Sequence, residues 1–277
     1  MAKKDVRDLL RAKPVDGQFR MASVDPDSTP GLKGGAKKAP RDFKKAQPFL
    51  FGLHERLYAE RKRSLLVVLQ GMDTSGKDGT VTHVMRNFNP QGVLITSFKA
   101  PTAAEKRHGF LWRMRRRLPV PGDIGIFNRS HYEDVLIARV HELAPQAVIE
   151  RRYEQINDFE AGLVKSGTRV VKFCLHISYD EQRRRLVDRL DDPDKHWKFN
   201  EHDIDERAYW DDYMSAYSLA ISRCSTDAAP WYVIPADDKV YRNWAVTKIL
   251  VETLREMDPR YPLPKLDIPR LLKRLKA

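Results

Sequence analysis

The stretch Gly71-Met72-Asp73-Thr74-Ser75-Gly76-Lys77-Asp78-Gly79 combines glycines, a lysine and carboxylates. It lies between an apolar run, Leu65 to Leu69, and a helix-compatible segment, Thr80 to Asn87. A strand, a glycine loop carrying a lysine, then a helix is an arrangement that binds phosphate. Glycines let the backbone turn its N–H groups inward around the anion. The helix N-terminus adds partial positive charge and Lys77 adds a full one. Gly71, Thr74, Ser75, Gly76, Lys77, Asp78 and Gly79 are therefore the candidate phosphate contacts. The hydroxyl that ordinarily follows the lysine and holds Mg²⁺ is missing, and Asp78 stands in its place. Asp73 is an additional carboxylate facing the same phosphates. Mg²⁺ takes few carboxylates alongside waters and phosphate oxygens, so Asp73 is a candidate metal residue. The competing reading of Asp73 is a residue that stabilises the turn.

A second constellation is Asn128-Arg129-Ser130-His131-Tyr132-Glu133-Asp134. It ends an apolar run and opens a helix, where phosphate-loop enzymes place a metal-binding acid. Arg129 there can stabilise charge on a transferred phosphoryl group. Asn128 can orient a metal-bound water or a phosphate oxygen. Glu133 and Asp134 can hold metal or a lysine, or complement the helix dipole. Asp134 is thus the second metal candidate, and His131 is read as a packing or capping residue.

A third constellation, Arg183-Arg184-Arg185, Arg189, Lys195, Lys198 and Arg207, is interleaved with Trp197, Phe199 and Trp210. Such a polar segment before the last helices can act as a lid whose cations reach phosphates below and whose closure excludes water. Arg185, Arg189, Lys195 and Lys198 are the lid residues assigned to phosphate. A solvated basic helix face is the alternative. Arg113, Arg115, Arg116 and Arg117 can line the path of a long polyanion or lie on the surface. The nucleotide site is the hardest to place; Lys99, Thr102 and Arg113 are candidates, with Glu133 beside the acceptor phosphate.

These residues need a scaffold, and the hydropathy pattern supplies one. Strands are expected at 65–70, 92–98, 122–127, 168–177 and 231–235, and helices at 102–117, 130–142, 147–165, 180–190, 205–223 and 239–257. An amphipathic lead-in precedes them, from Asp42 to Tyr58. The alternation predicts an α/β fold, a three-layer arrangement with a mostly parallel five-stranded sheet and a helical lid at about 190–212. Ligands of such sheets bind beyond the carboxyl ends of the strands, so the glycine loop, Lys99 and Asn128-Arg129-Ser130 should converge. Residues 1–41 read as a basic tail or arm, 42–258 as the catalytic domain and 259–277 as a basic C-terminal tail.

Composition sets outer limits. Hydrophobic residues make up 42% and charged residues 32% of 277, which suits one globular domain. No apolar run approaches the roughly 18 residues that span a bilayer, and the N-terminus has no apolar signal region, so a cytoplasmic protein without membrane partners is expected. The formal charge of +12 favours a polyanionic partner, nucleic acid or inorganic polyphosphate among them. No helix-turn-helix, zinc or single-strand aromatic motif supports nucleic acid. Cys174 and Cys224 have no metal spacing, and Cys174 in its apolar run reads as a core residue.

Taken together the motifs resemble the polyphosphate kinase 2 family, the polyphosphate:nucleotide phosphotransferases. The likeness is carried by Gly71 to Gly79, Phe127 to Leu136, Arg185-x-x-x-Arg189, Pro193-x-Lys195-x-Trp197-Lys198-Phe199, Trp210-Asp211-Asp212-Tyr213, Ala229-Pro230-Trp231 and Ile234-Pro235-Ala236-Asp237. It implies a P-loop kinase fold and Mg²⁺-dependent transfer of a terminal phosphoryl from polyphosphate to a nucleotide. It also implies a homodimer or homotetramer. In much of the family the second motif begins Asp-Arg-Ser, with the Asp helping to hold metal; Asn128 stands there here, which shifts weight to Asp73. Glu133, where many diphosphate-specific members have Asn, resembles the subgroup that accepts nucleoside monophosphates and extends diphosphates. AMP and ADP are then the expected acceptors, with guanine nucleotides as further candidates. The rival readings are an ATP-dependent nucleotide kinase of the same fold, a nucleic-acid-binding protein and a noncatalytic polyphosphate binder.

Overall fold

The five apolar runs form strands β1 (Ser64–Gln70), β2 (Val93–Ser97), β3 (Ile124–Asn128), β4 (Thr168–His176) and β5 (Trp231–Pro235). All neighbours pair in parallel, in the order β2-β3-β1-β4-β5. The computed structural model describes residues 5–32 and 39–276. Residues 33–38, within the expected N-terminal tail or arm, lie outside the described residues.

The helices are α1 (Val6–Leu10), α2 (Ala39–Glu60), α3 (Lys77–His83), α4 (Trp112–Arg115), α5 (Ile137–Val140) and α6 (Gln146–Lys165). They continue with α7 (Tyr179–Leu190), α8 (His202–Asp205), α9 (Trp210–Cys224), α10 (Lys239–Met257) and α11 (Ile268–Lys276). Side chains alternate across a strand, and β1 shows what that does here. Leu65, Val67 and Leu69 pack into one core with α2 and α10, while Leu66 and Val68 pack into the other with α6 and α9. The result is the expected three-layer α/β architecture, with every β1 residue buried. Cys174 belongs to the second core, where burial pushes its thiol up to about 12. No helix among the described residues is long and apolar enough to cross a membrane.

The N-terminal segment wraps the β5 edge. Val6 and Leu10 join the first core and Met21 the second. Between them Ala12 N–H donates to the Trp231 carbonyl (2.8 Å) and Phe19 N–H to Ser222 Oγ (2.7 Å). An open strand edge is thereby covered.

Two expected helices are broken. The pattern over 102–117 gives only a single 3₁₀ turn, Glu105–Arg107, and the short α4. Thr102 and Glu105 close that turn reciprocally, through Thr102 N–H to Glu105 Oε2 (2.8 Å) and Glu105 N–H to Thr102 Oγ1 (3.2 Å). The chain then extends at His108 (φ −112°, ψ 163°) before α4. Ser130 does act as a cap, accepting from Tyr132 N–H (3.2 Å), but the capped element is one 3₁₀ turn, His131–Asp134. Leu136 (φ −97°, ψ −86°) interrupts it before α5. Residues 191–209 form short helical turns: Pro193–Lys198, α8 and Glu206–Tyr209. The C-terminal segment ends in α11, whose Ile268, Leu272 and Leu275 are exposed.

Candidate active site

Parallel register sets Leu69 beside Asn128, so the loop after β1 and the turn after β3 leave the sheet side by side. Both use left-handed backbone: Thr74 has φ 65° and Arg129 φ 60°. That conformation costs a non-glycine residue roughly 1–2 kcal/mol. Hydrogen bonds from other elements hold it, Arg129 N–H to the Leu69 carbonyl (3.0 Å) and Arg185 Nη1 to the Thr74 carbonyl (3.0 Å). Strain held this way is a recurrent feature of functional sites.

The side chains of the two motifs interlock. Arg129 Nη2 donates to Asp73 Oδ1 (2.9 Å), Asn128 Nδ2 to Asp78 Oδ1 (2.7 Å) and Gln70 Nε2 to Glu133 Oε1 (3.0 Å). Lys77 Nζ crosses the loop to the carbonyls of Gly71 (2.6 Å) and Met72 (3.1 Å). Burial pulls the Lys77 ammonium below its ordinary range, against Asp73, which raises it. Burial acts the same way on Arg129, but Glu133 and Asp73 outweigh it and the net shift is upward. Among the described residues Thr74 Oγ1, Ser75 Oγ and Gln70 Oε1 are buried without a hydrogen-bond partner. Unpartnered loop hydroxyls suit a phosphate, and carboxylates with an amide oxygen suit a hard cation such as Mg²⁺.

Above the loop, Asn200, His202, Asp203 and Glu206 close over Gly71, Asp73, Arg129 and Glu133, leaving a cavity of about 170 Å³. Small-molecule sites run to roughly 300–1,000 Å³, larger than this cavity. Tyr213 and Tyr217 of α9 form the inner wall.

The comparisons with known proteins agree with this geometry. Residues 35–262 match the family model described as polyphosphate kinase 2. The chain is 49% identical over 255 residues to an AMP/ADP-polyphosphate phosphotransferase of Meiothermus ruber, covering 92% of this chain and 95% of that one. It is 45% identical to an ADP-polyphosphate phosphotransferase of Rhodopseudomonas palustris, covering 77% and 78%. The crystal structure of polyphosphate kinase 2 from Arthrobacter aurescens TC1 superposes with a TM-score of 0.96 at 46% identity, covering 99% of this chain and 97% of that one. The chain belongs to the polyphosphate kinase 2 family.

Within this family member the expected site residues divide. Gly71, Asp73, Arg129 and Glu133 line the cavity, whereas Thr74, Ser75, Gly76, Lys77, Asp78, Gly79 and Asn128 belong to the adjoining loop and strand end and do not line it. Arg185 is not a lid cation. It is buried, with Nε on Glu181 Oε1 (2.5 Å) and its other nitrogens on the carbonyls of Thr74, Ala236 (2.6 Å) and Asp237 (2.9 Å). It braces the loop against the β5 end. Arg189 bonds Asp203 Oδ2 (3.3 Å), in the segment above the loop. Lys195 and Lys198 are exposed, the first paired with Asp192 (2.6 Å) and the second 4.7 Å from the Trp197 ring centroid.

Asp134 is not brought to Asp73 either. It faces Arg152 (3.7 Å), whose Nη1 also bonds the Asp134 carbonyl (2.7 Å); burial pushes Asp134 up while Arg152 and Arg113 oppose the shift. Arg113 folds back onto the Lys99 carbonyl (2.7 Å) and the Phe98 ring. Lys99 and Thr102 are exposed. Of the nucleotide candidates, only Glu133 lines the cavity.

Sequence reasoning missed Asp203 and Glu206, which line the cavity. Asp203 sits among other acids, Glu201, Asp205 and Glu206, and burial followed by the charge of Asp73 raises it. With four acids between 201 and 206, nothing in the sequence singles out this one. His131 proves to be a core residue, as expected from packing, with Nε2 on Glu160 Oε1 (3.2 Å). Tyr132 OH donates to the same oxygen (3.0 Å), and Lys172 donates to Tyr132 OH (2.8 Å), to the Cys224 carbonyl (2.7 Å) and to Glu160. Burial raises Glu160, but Lys172 and His131 outweigh it and hold it below the usual carboxylate range. This network anchors the turn carrying Arg129 and Glu133. Glu160→Gln leaves the fully buried Lys172 without its counter-ion. A loss of about 3–5 kcal/mol is expected, to be checked by urea denaturation; a loss below about 1 kcal/mol would refute the anchoring role.

Proposed function

We propose that the chain transfers the terminal phosphoryl group of polyphosphate to AMP and to ADP with Mg²⁺. The observation that carries this reading is the convergence of Asp73, Arg129 and Glu133 in one strand-end cavity, with the loop lysine Lys77 close enough to feel the charge of all three. Its support from outside the chain is the activity named for the Meiothermus ruber relative, AMP/ADP-polyphosphate phosphotransferase.

In this mechanism the loop N–H groups, Lys77 and Arg129 hold the end of the polyphosphate chain. An oxygen of the acceptor phosphate attacks the terminal phosphorus, and the P–O bond to the remaining chain breaks. The nucleotide gains one phosphoryl group and polyphosphate is shortened by one. The acceptor phosphate is already ionised near neutral pH, so no general base is needed. Catalysis is positioning and charge stabilisation. Arg129, held toward the loop by Asp73, meets charge developing on the transferred group. Asp73, with Glu133 and Gln70 beside it, would hold Mg²⁺, which supplies neutralisation of phosphate charge. Closure of residues 191–209 excludes water and so suppresses hydrolysis. The net charge of +12 concentrates a long polyanion at the surface and makes binding weaken with salt. Guanine nucleotides as further acceptors and a homodimer or homotetramer as the working assembly complete the proposal.

A panel of AMP, ADP, GMP and GDP, each with polyphosphate and Mg²⁺ and without ATP, tests acceptor choice. ADP and then ATP are expected from AMP. Turnover of diphosphates alone would remove AMP from the proposal.

A further inference from the structure

Behind the phosphate loop lies a guanidinium that the mechanism above does not use. Arg242, in the first turn of α10, is only 3% exposed. Its Nε (3.1 Å) and Nη2 (2.9 Å) donate to the neutral amide oxygen of Asn243, and Nη1 lies 3.5 Å from the Ser75 carbonyl. Among the described residues no carboxylate pairs with it. The nearby Asp238 is turned away to cap α10, its Oδ1 accepting from Val240 N–H (2.7 Å) and Tyr241 N–H (3.0 Å). Burial, then the neighbouring Arg185, lowers the Arg242 guanidinium to about 10.

The guanidinium is pressed against the loop itself. Gly76 has φ 99°, and a Cβ there would overlap Arg242 Nη1; a Cβ on Gly79 would come within 3.0 Å of Nη2. Both glycines therefore leave room for Arg242 as well as for loop geometry. A buried charge without a counter-ion is unfavourable. It is relieved when an anion binds on the other face of a layer this thin.

We infer that Arg242 is a positioning residue whose charge, acting through the loop backbone at Gly76 and Gly79, draws and registers the polyphosphate bound on the loop's outer face. This rests on polyphosphate being the ligand of that loop. The guanidinium makes no contact with the substrate. It adds a field that favours the bound state and holds the loop by shape.

Arg242→Met, Arg242→Gln and Arg242→Lys in the full chain test this, with melting temperature read with and without polyphosphate and with KM measured for both substrates. The Met and Gln variants are expected to melt at or above the wild-type temperature without polyphosphate, because an unpaired buried charge is gone. Their rise in melting temperature on adding polyphosphate should shrink. KM for polyphosphate should increase about tenfold with a shallower salt dependence, KM for the nucleotide should stay unchanged, and Arg242→Lys should recover much of the difference. Neutral variants that fail to fold, or that melt well below wild type with an unchanged KM for polyphosphate, would make Arg242 purely structural and overturn the inference. Equal losses in the Lys and Met variants would overturn it as well. A wild-type protein that polyphosphate neither stabilises nor serves as donor would instead refute the proposed substrate.

Discussion

Lys77→Ala is expected to lower kcat for phosphoryl transfer by on the order of 10²–10³-fold, the usual effect of deleting one charge-stabilising donor. The fold should survive. The side chain contributes two hydrogen bonds to loop carbonyls, each worth about 1.5–3 kcal/mol when the donor is charged, and removing it also relieves a buried ammonium. Melting within several degrees of wild type with kcat lowered by that factor is the predicted pattern, read by a coupled nucleotide assay and by calorimetry. The pH profile gives a second reading of the same residue. Burial lowers Lys77, so the alkaline fall in kcat/KM, which reports the free enzyme, should begin below the pH at which an ordinary lysine titrates. Bound phosphates favour the ammonium form, so the corresponding fall in kcat should lie at higher pH.

Asp73→Asn is the second substitution with a large expected effect. Asp73 is the carboxylate inside the loop, bonded to Arg129 and sharing the cavity with Glu133. Without its charge, the Mg²⁺ concentration giving half-maximal activity should rise about 10–100-fold, and kcat at saturating Mg²⁺ should fall by a similar factor as Arg129 loses its partner. Asp134→Asn provides the contrast. Its carboxylate faces Arg152 rather than the loop, so the Mg²⁺ requirement should stay at the wild-type value. A Mg²⁺ titration that moves for Asp134→Asn and not for Asp73→Asn would reverse the assignment.

These expectations mix what local pattern could reveal with what only assembly could. The five strands were legible because each is an apolar run bounded by breakers, and β1 is apolar on both faces because helices cover both. The phosphate loop and the turn after β3 were legible because their chemistry is contiguous in the chain. The helix expected over 102–117 followed an apolar spacing that does continue. Thr102 and Glu105, however, satisfy each other's N–H groups within one turn, and the backbone then leaves the helix at His108. Hydropathy period does not register that competition.

Side-chain pairing across distant elements was the least visible. Arg185 looks like its basic neighbours in sequence, yet it faces inward at one helical position and meets the carbonyls of Thr74, Ala236 and Asp237. Asp134 sits next to Glu133, but the two residues of one tight turn point to opposite flanks, one toward Gln70 and the other toward Arg152. Asp78, by its type alone, reads as a defect in the loop. It accepts from Asn128, so the two departures from the usual pattern form one hydrogen bond. An Asp at 128 would have set two carboxylates against each other.

The donor is the central claim, and terminally ³²P-labelled polyphosphate addresses it directly. Incubated with AMP, Mg²⁺ and no ATP, the protein should place label in the β-phosphate of ADP at the start of the reaction, in proportion to the shortening of the polyphosphate. Label that stays in polyphosphate or appears as free phosphate, with AMP phosphorylated only when ATP is supplied, would contradict the account and return the chain to the ATP-dependent nucleotide kinases.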